Sequence, residues 1–168
     1  MKKTVLVLDT SVLCVHLRVP GLETCGPSAD RWDGPRVTEK LTEAERLKHT
    51  IVVPLATLVE VGNHIANAPG DRFVVAKRLA AVLRSVADDA SPWAAFDESR
   101  FWDVDALRRY ADEWPELAAR GLSLADVSIS KVAEFYSQLG FSVEILTGDQ
   151  GLKSLEPAQR GRRGRPSQ

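Results

Sequence analysis

The ten residues TVLVLDTSVL, Thr4 to Leu13, decide the fold. Their first half is an unbroken run of β-branched residues and leucines. A strand with one wet face alternates apolar with polar residues, so a continuous apolar run predicts a strand covered on both faces, as in a parallel sheet. Asp9, Thr10 and Ser11 follow, all residue types that accept hydrogen bonds from the free amides at a helix start. The stretch therefore reads as strand, turn, helix. Working outward, the same grammar recurs. IVVP, Ile51 to Pro54, predicts a second buried strand, stopped by a proline suited to the first turn of a helix. LATLVEVGNHIANA continues it with helical spacing at Leu55, Leu58, Val59 and Ile65. LSLADVSISKVAEFYSQLG, Leu122 to Gly140, predicts a helix stopped by Gly140, and FSVEILT predicts a third buried strand running into GDQGLKSL. Strands alternating with helices imply an α/β fold, a three-layer α/β/α sandwich around a central, mainly parallel sheet.

Between these elements, residues 20–38 are rich in Gly, Pro and Asp and predict a long loop, followed by a short amphipathic helix in LTEAERLKH. Asp71 to about Asp88 carries an apolar stripe at Val75, Leu79, Val82, Leu83 and Val86, the pattern of a helix packed on the core. An aromatic stretch follows, with Trp93, Phe96, Phe101, Trp102, Tyr110 and Trp114 beside Arg100, Arg108 and Arg109. Such side chains serve either core packing or base stacking supported by arginine.

The chain has 168 residues, 44% apolar and 27% charged, enough for one proper core and too few for two large ones. Residues 1–157 are expected to form one domain. No apolar run reaches the length of a membrane span, and the run before Asp9 is too short for a signal peptide, so a soluble, cytoplasmic protein is expected. Cys14 and Cys25 make no disulfide framework, and His16, His49 and His64 lack zinc-site spacing. The net charge is −1, and four of the positive charges are Arg160, Arg162, Arg163 and Arg165 of the terminal RGRRGRPSQ, which leaves −5 for residues 1–159. Residues 158–168 are expected to be a disordered basic tail, either a nucleic-acid-binding arm or a solubilising end.

An acidic body raises the question of where its acids meet. In an open parallel sheet, functional groups gather beyond the carboxyl ends of the strands. Asp9 ends the first predicted strand, Glu60 lies about two turns along the helix after the second, and Asp149 follows the third. Asp126 lies in the first turn of the helix leading to that strand. Each has an ordinary alternative: capping for Asp9, the macrodipole's preference for an acid in a helix's first turn for Asp126, a solvated helix face for Glu60, a turn for Asp149. Together they predict one cluster. Like charges about 4 Å apart repel by roughly 4 kcal/mol at an effective dielectric near 20, so such a cluster calls for protons or a cation. Hard oxygen ligands imply Mg²⁺ or Mn²⁺.

In the order LDTSVL, VPLATLVEV, LSLADVSISKVAEF, ILTGDQGL, the chain resembles the PIN-domain ribonucleases from Thr4 to about Leu155, and in particular the VapC-type toxins of toxin/antitoxin pairs. The resemblance implies a metal-dependent endoribonuclease whose acidic ligands fall on Asp9, Glu60, Asp126 and Asp149. It places a supporting hydroxyl on Ser11 or Thr147. It also implies an RNA substrate cut to a 3′-hydroxyl and a 5′-phosphate, a homodimer, and a cognate antitoxin as a possible partner. Arg100, Arg108, Arg109 and the four tail arginines are the candidates for holding RNA phosphates against the acidic pocket. Asn63 and His64, one turn after Glu60, either orient it, touch RNA or face solvent. Two rivals stay open. One is a haloacid-dehalogenase-like phosphatase, whose nucleophile motif needs a second Asp where this chain has Ser11; the other is a non-catalytic PIN-fold binding module.

Overall fold

A computed structural model describes residues 3–94 and 96–158. Their first strand, β1 (Thr4–Leu8), runs straight into α1 (Thr10–Leu17), with Asp9 as the capping residue between them. Then follow α2 (Gly34–Arg46), β2 (Thr50–Val52), α3 (Leu55–Asn67), α4 (Arg72–Ala87) and β3 (Trp93–Ala94). The described chain ends with α5 (Val104–Ala119), α6 (Leu124–Gln138), β4 (Ser142–Leu146) and α7 (Gln150–Lys153).

The four strands form one all-parallel sheet in the order β3-β2-β1-β4. Val7 of β1 stands between Val52 of β2 and Ile145 of β4. Because successive strand side chains point to opposite faces, β1 serves two cores at once. Leu6 and Leu8 join residues of α1, α2, α3 and α4 in the larger cluster, and Val5 and Val7 join Ile129, Val132 and Ala133 of α6 in the other. This is why the TVLVL run had to be apolar throughout. The result is a sheet between two helical layers.

Several expectations are corrected by the packing. The loop expected over 20–38 ends early, because Asp33 caps α2 by accepting from the Arg36 amide at 3.0 Å and Pro35 sits in its first turn, where a missing amide hydrogen costs nothing. The helix expected in LTEAERLKH thus starts at Gly34. Pro54 precedes α3 as its capping residue instead of opening its first turn. The helical stripe assumed for α3 is partly misassigned, since Leu55 and Val59 are exposed while Thr57, Val61 and Ile65 are buried. Leu83 of α4 is likewise exposed. The strand β3 was hidden inside the aromatic stretch, and FSVEILT supplies the fourth strand, not the third.

Among the described residues no helix is long and apolar enough to cross a membrane. The basic tail, with Arg160, Arg162, Arg163 and Arg165, lies outside the described residues.

Candidate active site

With β2 and β3 on one side of β1 and β4 on the other, the sheet reverses its winding between β1 and β4. Connections leave the two strands in opposite directions there, which opens a crevice beyond their carboxyl ends. Asp9 is the first residue after β1, and Thr147, Gly148 and Asp149 are the first three after β4. The Asp9 amide donates to the Leu146 carbonyl at 3.1 Å and joins the two strand ends. Asp9, Glu60, Asp126 and Asp149 all line one cleft of about 240 Å³ at this place.

Asp9 is buried, and its Oδ2 accepts from the hydroxyls of Ser11 and Thr147, each at 2.7 Å. Both hydroxyls are themselves fixed from behind. The Gly148 amide donates to Ser11 Oγ at 3.0 Å, and the Asp149 amide donates to Thr147 Oγ1 at 2.9 Å. Ser11 and Thr147, expected as alternatives, therefore act on the same oxygen. Among the described residues Asp9 Oδ1 receives no such bond. Glu60 is held through Oε2, which accepts from Thr10 Oγ1 at 2.9 Å. Thr57 ties the same helix to the strand end by donating to the Leu8 carbonyl at 2.9 Å.

Asp126 and Ser123 form a reciprocal capping box: the Ser123 amide donates to Asp126 Oδ2 at 2.7 Å, and the Asp126 amide donates to Ser123 Oγ at 3.0 Å. Asp149 caps α7, accepting from the Leu152 amide at 3.0 Å. Capping and site membership thus coincide for Asp9, Asp126 and Asp149. A carboxylate at a helix start is stabilised by the partial positive charge there, which helps hold acids together that would otherwise repel. The fields confirm their proximity. Burial pushes the Asp126 carboxyl above its ordinary value; the two Ser123 hydrogen bonds oppose this, and the charges of Asp9 and Asp149 add to it. Cys14 beneath the cleft is pushed up to about 12 by burial and then by Asp9, Cys25 and Glu60.

Four carboxylates with neighbouring hydroxyls are hard oxygen donors, the ligand type that a divalent cation such as Mg²⁺ takes. Among the described residues no group of three or more histidines, cysteines and acids stands placed to hold a metal ion. Each of the four carboxylates keeps one oxygen on a neighbouring donor.

Sequence reasoning missed the other wall of the cleft. Leu22, Thr24 and Cys25 of the long loop line it, as does Thr10. This loop is pressed onto the Asp149 turn: a Cβ at Gly148 would stand 2.6 Å from the Gly26 nitrogen and 2.8 Å from Cys25 Sγ. A glycine in GDQG facing a Gly-rich loop was the available signal. His64 lines the cleft with its side chain exposed, and Asn63 is exposed. Of the arginines expected near RNA, Arg100, Arg108 and Arg109 do not line the cleft, and the four of the tail lie outside the described residues. Arg100 lies over the Phe135 ring at 5.0 Å and exposed Arg108 pairs with Asp105 at 3.0 Å, while Arg109 is exposed on α5. The aromatics pack mostly on one another, with Phe96 against Phe101, Phe135 and Tyr136, and Trp102 against Tyr110.

No family model, no curated protein and no solved structure matches this chain.

Proposed function

We propose that the protein is a Mg²⁺- or Mn²⁺-dependent endoribonuclease of the PIN kind, resembling the VapC-type toxins. What carries this reading is the convergence of Asp9, Glu60, Asp126 and Asp149 on one cleft at the point where the parallel sheet reverses its winding. Asp9, Asp126 and Asp149 would hold the cation, with Glu60 completing the site. The chemistry supplied by such a cation is charge neutralisation at the phosphodiester and acidification of water.

The chain's own residues do the rest. Ser11 and Thr147 pin Asp9 through Oδ2 and so present Oδ1 in a fixed direction. Thr10 pins Glu60 through Oε2, leaving Oε1 as the atom to orient a water and take up its proton. Asp126 must lose its proton before it can serve as a ligand, and its raised pKa makes the activity fall on the acid side.

The test is cleavage of a fluorescent RNA in Mn²⁺ by wild type, Asp9→Asn and Asp126→Asn. Wild type is expected to cut only with the divalent ion, and both variants to fail. Metal binding without cleavage would favour a non-catalytic binding module, and release of phosphate from a small ester would favour a phosphatase.

A further inference from the structure

A nuclease cleft lined by four acids needs a cation near its mouth to receive a polyanion. Among the described residues His64 is the only basic one that lines it. The contacts around the long loop lead to another. The turn holding Gly148 and Asp149 packs on Gly26, and Gly26 packs on the Asp30 carbonyl, where a Cβ would stand 2.6 Å away. Asp30 in turn binds Arg36 NH1 at 2.7 Å, and the Arg31 carbonyl accepts from the same nitrogen at 2.8 Å. Trp32 pairs with Cys25 of the cleft wall through two backbone hydrogen bonds, of 2.8 and 3.0 Å. The Arg36 guanidinium lies over the Trp32 ring at 4.0 Å from its centre. Its charge reaches the Cys25 thiol, which burial and Asp9 push up while a Ser11 hydrogen bond and Arg36 pull it down.

We propose that Arg36, held beside the loop wall of the cleft through Trp32 and Cys25, is a substrate platform that receives one unpaired nucleotide of single-stranded RNA; the proposal rests on the nuclease reading above. The indole covers one face of the guanidinium, and Asp30 and the Arg31 carbonyl fix its rotation, so the arginine is ordered before RNA arrives. With its side chain 40% exposed, the outer face is open to stack a base and the remaining N–H edge to meet a phosphate. Arg36 and Trp32 also line a separate groove with Lys40 and Arg46, but Glu39, Glu43 and Glu144 share it and Lys40 pairs with Glu144 at 2.9 Å. Arg36 is therefore the anchor and the groove beyond is not.

The experiment uses the full chain and a fluorescent oligouridylate. Anisotropy is read in the Asp126→Asn background with Mn²⁺, so the RNA survives, and cleavage is read in the wild-type background. Arg36→Met keeps the aliphatic stem on Trp32, and Arg36→Lys keeps the charge without the plane. Arg36→Met is expected to weaken binding and raise KM about tenfold with kcat little changed, and to flatten the log-log salt slope by about 0.7. Arg36→Lys should lose affinity while keeping the slope. Unchanged binding and KM in Arg36→Met overturn the platform even if the enzyme cuts RNA. Binding that depends on Arg36 without any cleavage leaves the platform standing and removes the nuclease reading. A wild type that neither binds nor cuts removes both.

Discussion

Asp126 shows how one side chain can satisfy a helix and a site together. Its raised pKa means that ionisation is harder in the fold than in the unfolded chain, where the value is the ordinary 3.8. The sign follows: the stabilising contribution of the proton is present below that value and is lost as pH rises through the folded pKa. At neutral pH the ionised carboxyl is a cost, so Asp126→Asn, whose amide oxygen can still accept from Ser123, should melt at or slightly above the wild-type temperature without metal. Cleavage should nevertheless drop by more than about tenfold, because a hydrogen-bonded amide is no substitute for a ligand carboxylate. A variant that cuts nearly as well as wild type removes Asp126 from the site. A second residue-scale prediction concerns Gly148, where a methyl group would press on backbone and on Cys25. Gly148→Ala is expected to separate the long loop from the Asp149 turn, lowering both the melting temperature and the activity; an unchanged melt would show that this approach tolerates a Cβ. The meeting of the four acids was legible in the sequence because Asp9, Asp126 and Asp149 belong to a strand end or helix start and Glu60 to the helix that follows a strand. Thr10 and Cys25 were not, because their roles depend on a partner tens of residues away and no local pattern announces it.

At the scale of elements, α3 depends on a distant segment for its start. Pro54 offers no side-chain cap, and the first helical amide, that of Leu55, instead donates to Glu98 Oε1 at 2.6 Å across 43 residues. Trp102 adds a longer bond of 3.4 Å to the other oxygen. Burial raises the Glu98 pKa, with the Leu55 and Trp102 hydrogen bonds acting against it. Glu98 therefore contributes stability below its ordinary 4.5, and this is lost as pH rises through the folded value. Glu98→Gln should flatten that part of the pH–stability curve, seen as a wild-type-minus-mutant difference that shrinks from pH 4 towards neutrality. Glu98→Ala should cost about 1 kcal/mol at neutral pH through the lost cap, measured by urea unfolding. Equal pH curves for wild type and Glu98→Gln would remove the titration from this contact. Element types were the legible part of the fold: β1 and β2 were readable because buried parallel strands are written as near-continuous apolar runs, and β4 was readable in spite of the half-buried Glu144 within SVEIL. The two residues of β3 are too short for any period, and Leu55 and Val59 misled because spacing alone does not say which face of α3 meets the sheet.

Over the whole molecule, sheet order turns four separated acids into one electrostatic object. A body carrying about −5 in residues 1–159, with four acids in a single cleft, should respond to divalent cations as a unit. Deleting residues 160–168 removes four arginines and should weaken RNA binding while reducing the salt slope by up to about 0.7 per lost phosphate contact, with melting unchanged. An unchanged slope would make the tail a solubilising end. The larger test is metal linkage. A cation that binds the folded chain alone stabilises it by RT ln(1 + [L]/Kd), about 2.7 kcal/mol at a hundredfold excess over Kd. For a chain of this size each kcal/mol moves Tm by about 2–4 °C, so wild type should gain roughly 5–10 °C in saturating Mn²⁺. Screening must be separated from binding, because any salt relieves repulsion among clustered carboxylates. Sodium chloride at matched ionic strength is therefore expected to give only a small part of the rise. Asp9→Asn and Asp126→Asn should each lose most of the Mn²⁺-specific part, since each removes a ligand as well as a charge. Lys131 and Glu134, a half-buried pair at 3.3 Å on α6 away from the cleft lining, supply the control: Glu134→Gln also removes one negative charge but should keep the full shift. If sodium matches manganese, or if all three variants respond alike, the acids are neutralised by bulk counterions and no cation is held between them.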